Sequence, residues 1–247
     1  MSTTEFVITC AGRDGSHLLL YSLGAHSAVD VVNEPLGAAG IDQGWLDECA
    51  SGREPLDRKV FYPRDGVSAV GFPLQAYNAR QPPFDDAREY LRSRDVRVIH
   101  LERRNWLRRT LSLWLAEQTN VWSDRDGTRP TVERIEVDIE RLFAAFDELQ
   151  TLYAQNRADF AGLDSLDVWY EELCNDYEAQ MARVFGFLRL DAEPVRPQTH
   201  RQEQRALPDI ICNYAQVAQA LTGTRFEWML EKGLGLESRR FGVKSSG

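Results

Sequence analysis

The sequence predicts an α/β protein of three layers, a central and mostly parallel sheet flanked by helices. Short apolar runs recur at 5–10, 28–32, 69–74, 96–101 and 166–170; each is followed by a segment with helical spacing of its apolar residues; polar loops bearing glycine or proline separate them. Alternating elements of this length imply parallel strands covered on both faces. At 247 residues the chain is long enough for one full α/β domain, and a second is not required. Residues 1–231 are read as that domain and 232–247, rich in Gly, Arg and Ser, as a mobile C-terminal tail.

Taken in order, residues 5–10 form the first strand and Ser16 to about Ala25 the first helix. A second β-rich run, Ala28–Val32, ends at Asn33-Glu34-Pro35, where the proline is expected to hold Glu34 extended. Residues 43–50 read as helix, and 51–66 as a polar surface excursion. Ala69–Leu74 is a third strand broken by Pro73, a residue confined to strand ends and edges. An amphipathic helix over 85–94 leads to the most strand-like run, 96–101. From Asn105 to Thr119 the set Leu107, Leu111, Trp114 and Leu115 has helical spacing and reads as core. A turn-rich loop at 124–130, a long helix over 131–160, a strand over 166–170, and helices over 171–188 and 210–221 complete the chain.

Net charge is −9, which argues against gripping a nucleic-acid backbone, although a local basic patch could bind a small anion. No apolar run approaches the roughly 18 residues of a membrane span, and the N-terminus lacks a basic region and a long apolar core. A cytoplasmic location is therefore the expectation. Cys10, Cys49, Cys174 and Cys212 are scattered without a CxxC, as reduced thiols are, and neither they nor the histidines have metal-ligand spacing. His100, in an apolar strand, reads as a satisfied core histidine.

Two segments carry the chemistry. In Val7–Leu20 a strand runs through Ala-Gly12-Arg13-Asp14-Gly15-Ser16-His17 into a helix, and its glycines let backbone amides close around an oxyanion at the helix start. In Val98–Ser112 the strand ends at Arg103, Arg104 and Asn105, with Ser112 two helical turns further on. Two such sites on one sheet imply a ligand with two separate anionic groups. No lysine follows Gly15, so the GxxxxGK[ST] loop of a kinase or GTPase is absent, and so is the dinucleotide GxGxxG.

The first loop resembles the 5′-phosphosulfate loop of sulfotransferases, Arg-Ser-Gly-Ser/Thr before a leucine-rich helix. Arg104, Asn105 and Ser112 resemble their 3′-phosphate motif, and the run His100–Trp122 is most similar to bacterial sulfotransferases of the nodulation-factor and trehalose type. Trp169-Tyr-Glu-Glu-Leu173 resembles that family's Tyr-Glu-Asp-Leu, and Arg201-Gln202 with Ile211-Cys-Asn213-Tyr214 its C-terminal Lys-Gln and Ile-x-Asn-Tyr. The collinear set spans roughly residues 5 to 230.

This resemblance implies a P-loop-like fold and the cofactor 3′-phosphoadenosine 5′-phosphosulfate (PAPS), leaving 3′,5′-ADP as product. It assigns Gly12, Arg13, Asp14, Gly15, Ser16 and His17 to the phosphosulfate, Arg104 and Ser112 to the 3′-phosphate, and Arg201 and Gln202 to the cofactor as well. Arg13 would also neutralise charge growing on the bridging oxygen. Glu34 becomes the base that accepts the acceptor's proton, with His17 as the rival; capping or pairing with an arginine is the plainer role for Glu34. Arg103, Arg108 and Arg109 either extend the phosphate site or make surface salt bridges.

Two departures matter. Relatives have Gly-Phe-Lys-Leu where this chain has Gly71-Phe-Pro73-Leu, so a lysine near the transferring group is missing, and Arg80 or Arg13 could replace its charge. Asp14 stands where relatives carry a small hydroxyl residue and adds repulsion unless it turns outward or pairs with Arg13. The implied acceptor is a hydroxyl of a small molecule, a carbohydrate or natural product, in a pocket built from 37–66, 76–84 and 123–130, and dimers are common among relatives. The alternatives are a catalytically impaired PAPS- or 3′,5′-ADP-binding regulatory or scaffolding protein, and a P-loop kinase.

Overall fold

The computed structural model describes residues 3–37, 49–80, 84–122, 134–197 and 205–231. Its centre is β1 (Thr4–Cys10), whose Phe6, Val7, Ile8 and Cys10 expose no surface, as a strand buried on both faces requires. β1 pairs with β3 (Ala69–Gln75) on one side and with β4 (Arg97–Glu102) on the other. β2 (Val29–Val31) and β5 (Ser165–Trp169) complete a five-stranded parallel sheet of order β2-β3-β1-β4-β5.

Strand alternation divides the core. On one face Phe6, Ile8, Ile99 and Leu101 pack against Leu19, Leu20 and Leu23 of α1 (Ser16–Gly24). On the other, Val7, Phe72, Leu74 and Val98 meet Leu56 of α2 (Arg53–Lys59) and Leu91 of α3 (Ala87–Ser93). A further cluster joins Leu107, Leu111 and Trp114 of α4 (Trp106–Thr119) to Phe146 of α5 (Ile139–Asp159). The expected three-layer α/β arrangement with a parallel sheet is thus present.

The chain runs from β1 out to β2, returns to β3, and crosses β1 to reach β4 and β5. In such a sheet the crevice beyond the carboxyl end of the strand where the direction reverses is the natural ligand site. Because all strands are parallel, the loops after β1, β2, β3 and β4 share that end.

Several local expectations are corrected. The excursion at 51–66 contains α2, whose Leu56, with Val60 beyond it, is fully buried. β3 is unbroken at Pro73. Ala69 N–H donates to Ala28 O and Gly71 O accepts from Val32 N–H, so 69, 71 and 73 turn their backbone groups toward β2, which ends before Pro73 and asks no amide of it. Glu34 is not extended: it has φ +44° and starts a turn closed by Gly37 N–H to Glu34 O at 2.9 Å, with Pro35 second, where its fixed φ suits a turn. The helix expected from 131 begins at Ile139, where Asp138 Oδ1 accepts the Arg141 amide as an N-cap. Ahead of it Ile135 bridges Ile211.

The helix expected over 171–188 is broken at Asp176 into α6 (Tyr170–Asn175) and α7 (Tyr177–Phe187). A short α8 (Leu207–Ile210) that was not expected comes next, and the helix expected over 210–221 begins only at Tyr214, as α9 (Tyr214–Leu221), because Ile211 is drawn out to pair with Ile135. Most of 43–50, the loop at 124–130, Arg201, Gln202 and the 232–247 tail lie outside the described residues. Among the described residues no helix is long and apolar enough to cross a membrane. His100 is buried with Nδ1 2.8 Å from Thr9 Oγ1, and burial together with Arg157 lowers its pKa to about 4.

Candidate functional site

The loop after β1 is shaped by two residues in left-handed backbone, Arg13 at φ +73° and Gly15 at φ +94°. Gly15 precedes α1, whose first-turn amides point into the mouth of the loop as at any helix start. A Cβ on Gly15 would run into the ring of Tyr170, the first residue of α6, so this glycine is required by both conformation and space. Gly15→Ala is therefore expected to destabilise the protein by about 1–2 kcal/mol from backbone conformation alone. Thermal unfolding checks it, with Gly12→Ala as the contrast, since a Cβ there meets nothing closer than Arg109 Nη2 at 3.9 Å.

Asp14 neither turns outward nor pairs with Arg13. It points into the core with no exposed surface. Its Oδ2 accepts the Ala11 amide and its Oδ1 the Tyr153 hydroxyl of α5, both at 2.7 Å, while Arg109 Nε of α4 stands 3.9 Å from Oδ1. Its side chain thus lies beneath the loop rather than in its mouth. Burial pushes the carboxyl up to about 7, against the pull of Arg109 and the two hydrogen bonds.

Arg13 ties the two anion segments together: its Nε donates to Ser112 Oγ at 3.0 Å, across 99 positions of sequence, and its Nη1 donates to the Trp122 carbonyl. Burial, then the like charges of Arg103 and Arg109, lowers its pKa to about 10. Arg103 and Arg109 are themselves buried, which corrects their reading as surface salt bridges. Arg103 lies over the Tyr170 ring at 4.6 Å and donates from Nη1 to Arg13 O at 3.3 Å.

Arg104 has other partners. Its guanidinium lies 4.4 Å over the Trp169 ring and reaches Glu172 Oε1 at 2.6 Å. Asn105 is an N-cap for α4, Oδ1 accepting the Arg108 amide at 2.9 Å while Nδ2 donates to Met229 O at 3.2 Å. The turn carrying both is held by buried Glu171, whose two oxygens accept the Arg104 and Asn105 amides at 3.0 and 2.9 Å.

Beyond β2, Glu34 Oε1 accepts a hydrogen bond from Gln75 Nε2 at 3.2 Å and lies 3.9 Å from His17 Nε2. The two candidate bases are thus neighbours, on loops after β2 and β1. Glu34 keeps a left-handed φ without being glycine, a local strain that surrounding structure must hold in place and that clusters at functional sites. Arg80, one candidate for the charge of the lysine missing at position 73, pairs with Asp159 and donates to the Ala76 carbonyl.

Arg103 and Arg109 face one carboxylate, Asp14, with Arg13 beside both arginines, and among the described residues Arg103 Nε and Arg109 Nε are buried without a hydrogen-bond partner. An excess of buried cationic donors beside a helix start fits a multiply charged anion such as the phosphosulfate end of PAPS. Tyr153, Tyr170, Glu171 and Gln75 were not singled out from sequence. Only Tyr170 and Glu171 left a signal there, as the first two residues of the Tyr-Glu-Glu-Leu run; the Tyr153–Asp14 contact joins residues 139 positions apart.

No protein-family model and no curated protein matches the chain. Among solved structures it is similar to a mouse sulfotransferase complexed with PAP, with TM-score 0.46 and 14% identity over 94% of this chain and 75% of that one. A sulfotransferase from Alicyclobacillus acidocaldarius gives TM-score 0.48 and 14% identity over 93% and 96% of the two chains. The sulfotransferase domain of the Synechococcus PCC 7002 olefin synthase gives 0.44 and 14% over 78% and 74%.

Proposed function

We propose that this chain is a PAPS-dependent sulfotransferase of the nodulation-factor and trehalose type, transferring a sulfuryl group in line to a hydroxyl of a small molecule, carbohydrate or natural product. The observation that carries the reading is the Arg13 Nε to Ser112 Oγ bond at 3.0 Å, which joins the two anion segments at the carboxyl end of β1. When bound, PAPS supplies the sulfuryl group and a 3′,5′-ADP leaving group.

The chain's own residues then divide the work. The amides of 12–17, with Arg13 and Ser16, hold the phosphosulfate, and Arg13 balances the charge that develops on its bridging oxygen. Ser112 and Arg104 serve the 3′-phosphate, and Arg201 and Gln202 belong to the same cofactor site. Glu34 takes the acceptor's proton, while Gln75 holds the carboxylate by a hydrogen bond and His17 stands beside it. With this reading go a single domain over 1–231 and a cytoplasmic location.

Two measurements test it. Transfer of labelled sulfate from PAPS to a panel of hydroxyl acceptors, with calorimetric binding of 3′,5′-ADP, should both be positive; neither binding nor transfer would overturn the reading. Binding without any turnover would instead favour a cofactor-binding subunit. Arg13→Ala is expected to weaken 3′,5′-ADP by about 10- to 100-fold, the value of a charge-assisted hydrogen bond.

A further inference from the structure

The Asp14 side chain takes no part in the role given to the loop's amides, yet it faces β1, the turn after β4, α4 and α5. Asp14 is approached by the thiol of Cys10 from β1, by the Ala11 amide from the loop, by Arg103 from the turn after β4, by Arg109 from α4 and by Tyr153 from α5. Tyr153 Oη also accepts the Arg103 amide at 3.2 Å, so one hydroxyl joins Asp14 to the second anion segment. Arg109 spans from Asp14 Oδ1, 3.9 Å from its Nε, to the loop at Gly12.

We propose that Asp14 is a positioning residue that ties anion binding to proton uptake: its carboxylate balances Arg103 and Arg109, and it accepts a proton from solution when an anionic group brings its own charge to the same arginines. This inference rests on the sulfotransferase reading. A carboxylate without solvent contact, near cationic partners that a ligand also recruits, loses those partners' stabilisation and gains a like-charged neighbour when the ligand enters. The pKa of Asp14, already about 7 through burial, then rises further.

The sign follows. The bound state holds more protons than the unbound one, so affinity falls as pH rises above about 7, with a limiting slope of about tenfold per pH unit for one proton. Protonation cancels the Asp14 charge and leaves the Ala11 and Tyr153 contacts to keep the loop in place. A purely structural carboxylate would show no such slope.

The test is calorimetry of 3′,5′-ADP with the full chain and with Asp14→Asn from pH 6 to 9, in two buffers of different ionisation enthalpy. The wild-type protein is expected to take up part of a proton on binding near neutral pH, and its Kd to rise by about tenfold from pH 7 to 9 relative to that of Asp14→Asn. The phosphate ionisations of the nucleotide are common to both proteins and cancel in that difference. Tyr153→Phe, which removes one donor to the carboxylate, should move the window to higher pH and supplies the comparison if Asp14→Asn does not fold. Equal proton uptake and parallel Kd profiles in wild type and variants would overturn the coupling and leave the sulfotransferase reading standing. Failure of 3′,5′-ADP to bind at every pH would instead remove the reading on which the coupling rests.

Discussion

Glu34→Gln is expected to lower the rate of sulfuryl transfer by about 10²- to 10⁴-fold, the contribution of a positioned general base, while affinity for 3′,5′-ADP stays at the wild-type value. The substitution keeps the side chain's shape, and its carbonyl oxygen can still accept from Gln75 Nε2, the bond that measures 3.2 Å at Oε1 of the carboxylate. What it removes is the capacity to take a proton. The left-handed φ of +44° at Glu34 is a backbone property and survives the change, so the turn closed by Gly37 is not disturbed.

Steady-state kinetics with a competent acceptor, set against the calorimetric Kd, separates the two effects: kcat falls and Kd does not. His17→Asn is the companion variant, since His17 Nε2 stands 3.9 Å from the same carboxylate oxygen. A Glu34→Gln enzyme that keeps its rate, beside a His17→Asn enzyme that loses it, would transfer the base role to His17.

The sheet was legible because its signals are local. Val98, Ile99 and Leu101 sit in a run that only a buried strand explains, and the Leu19, Leu20, Leu23 stripe only a helix against that sheet. The two anion segments were legible for the same reason, each a strand, a polar turn and a helix in succession. Asp14 was not. Its burial depends on Tyr153 and Arg109 arriving from two other helices, and local residue preferences place an aspartate in a glycine loop at the surface. The break at Asp176 and the late start at Tyr214 failed to register likewise: helical periodicity continues through Asp176, and at Ile211 pairing with Ile135 outweighs it.

Glu171→Ala is expected to destabilise the protein by about 2–6 kcal/mol, because two backbone amides would each lose a buried acceptor worth about 1–3 kcal/mol. The carboxylate is 2% exposed and holds the Arg104 and Asn105 N–H groups at 3.0 and 2.9 Å, at the turn from which α4 departs with Arg109 and Ser112. Glu171→Gln retains one acceptor and should cost roughly half as much. Glu172 supplies the internal contrast. It is the next residue and carries the ion pair to the Arg104 guanidinium, but with both side chains about one-third exposed its removal should cost only about 0–1 kcal/mol.

Urea unfolding of the three variants gives the ranking. Because Glu171 fixes the backbone that positions the second anion segment, Glu171→Ala should also weaken 3′,5′-ADP under conditions where the variant remains folded. A Glu171→Ala protein as stable as Glu172→Ala would mean that the turn holds its shape through the Asn105 cap and its bond to Met229 alone.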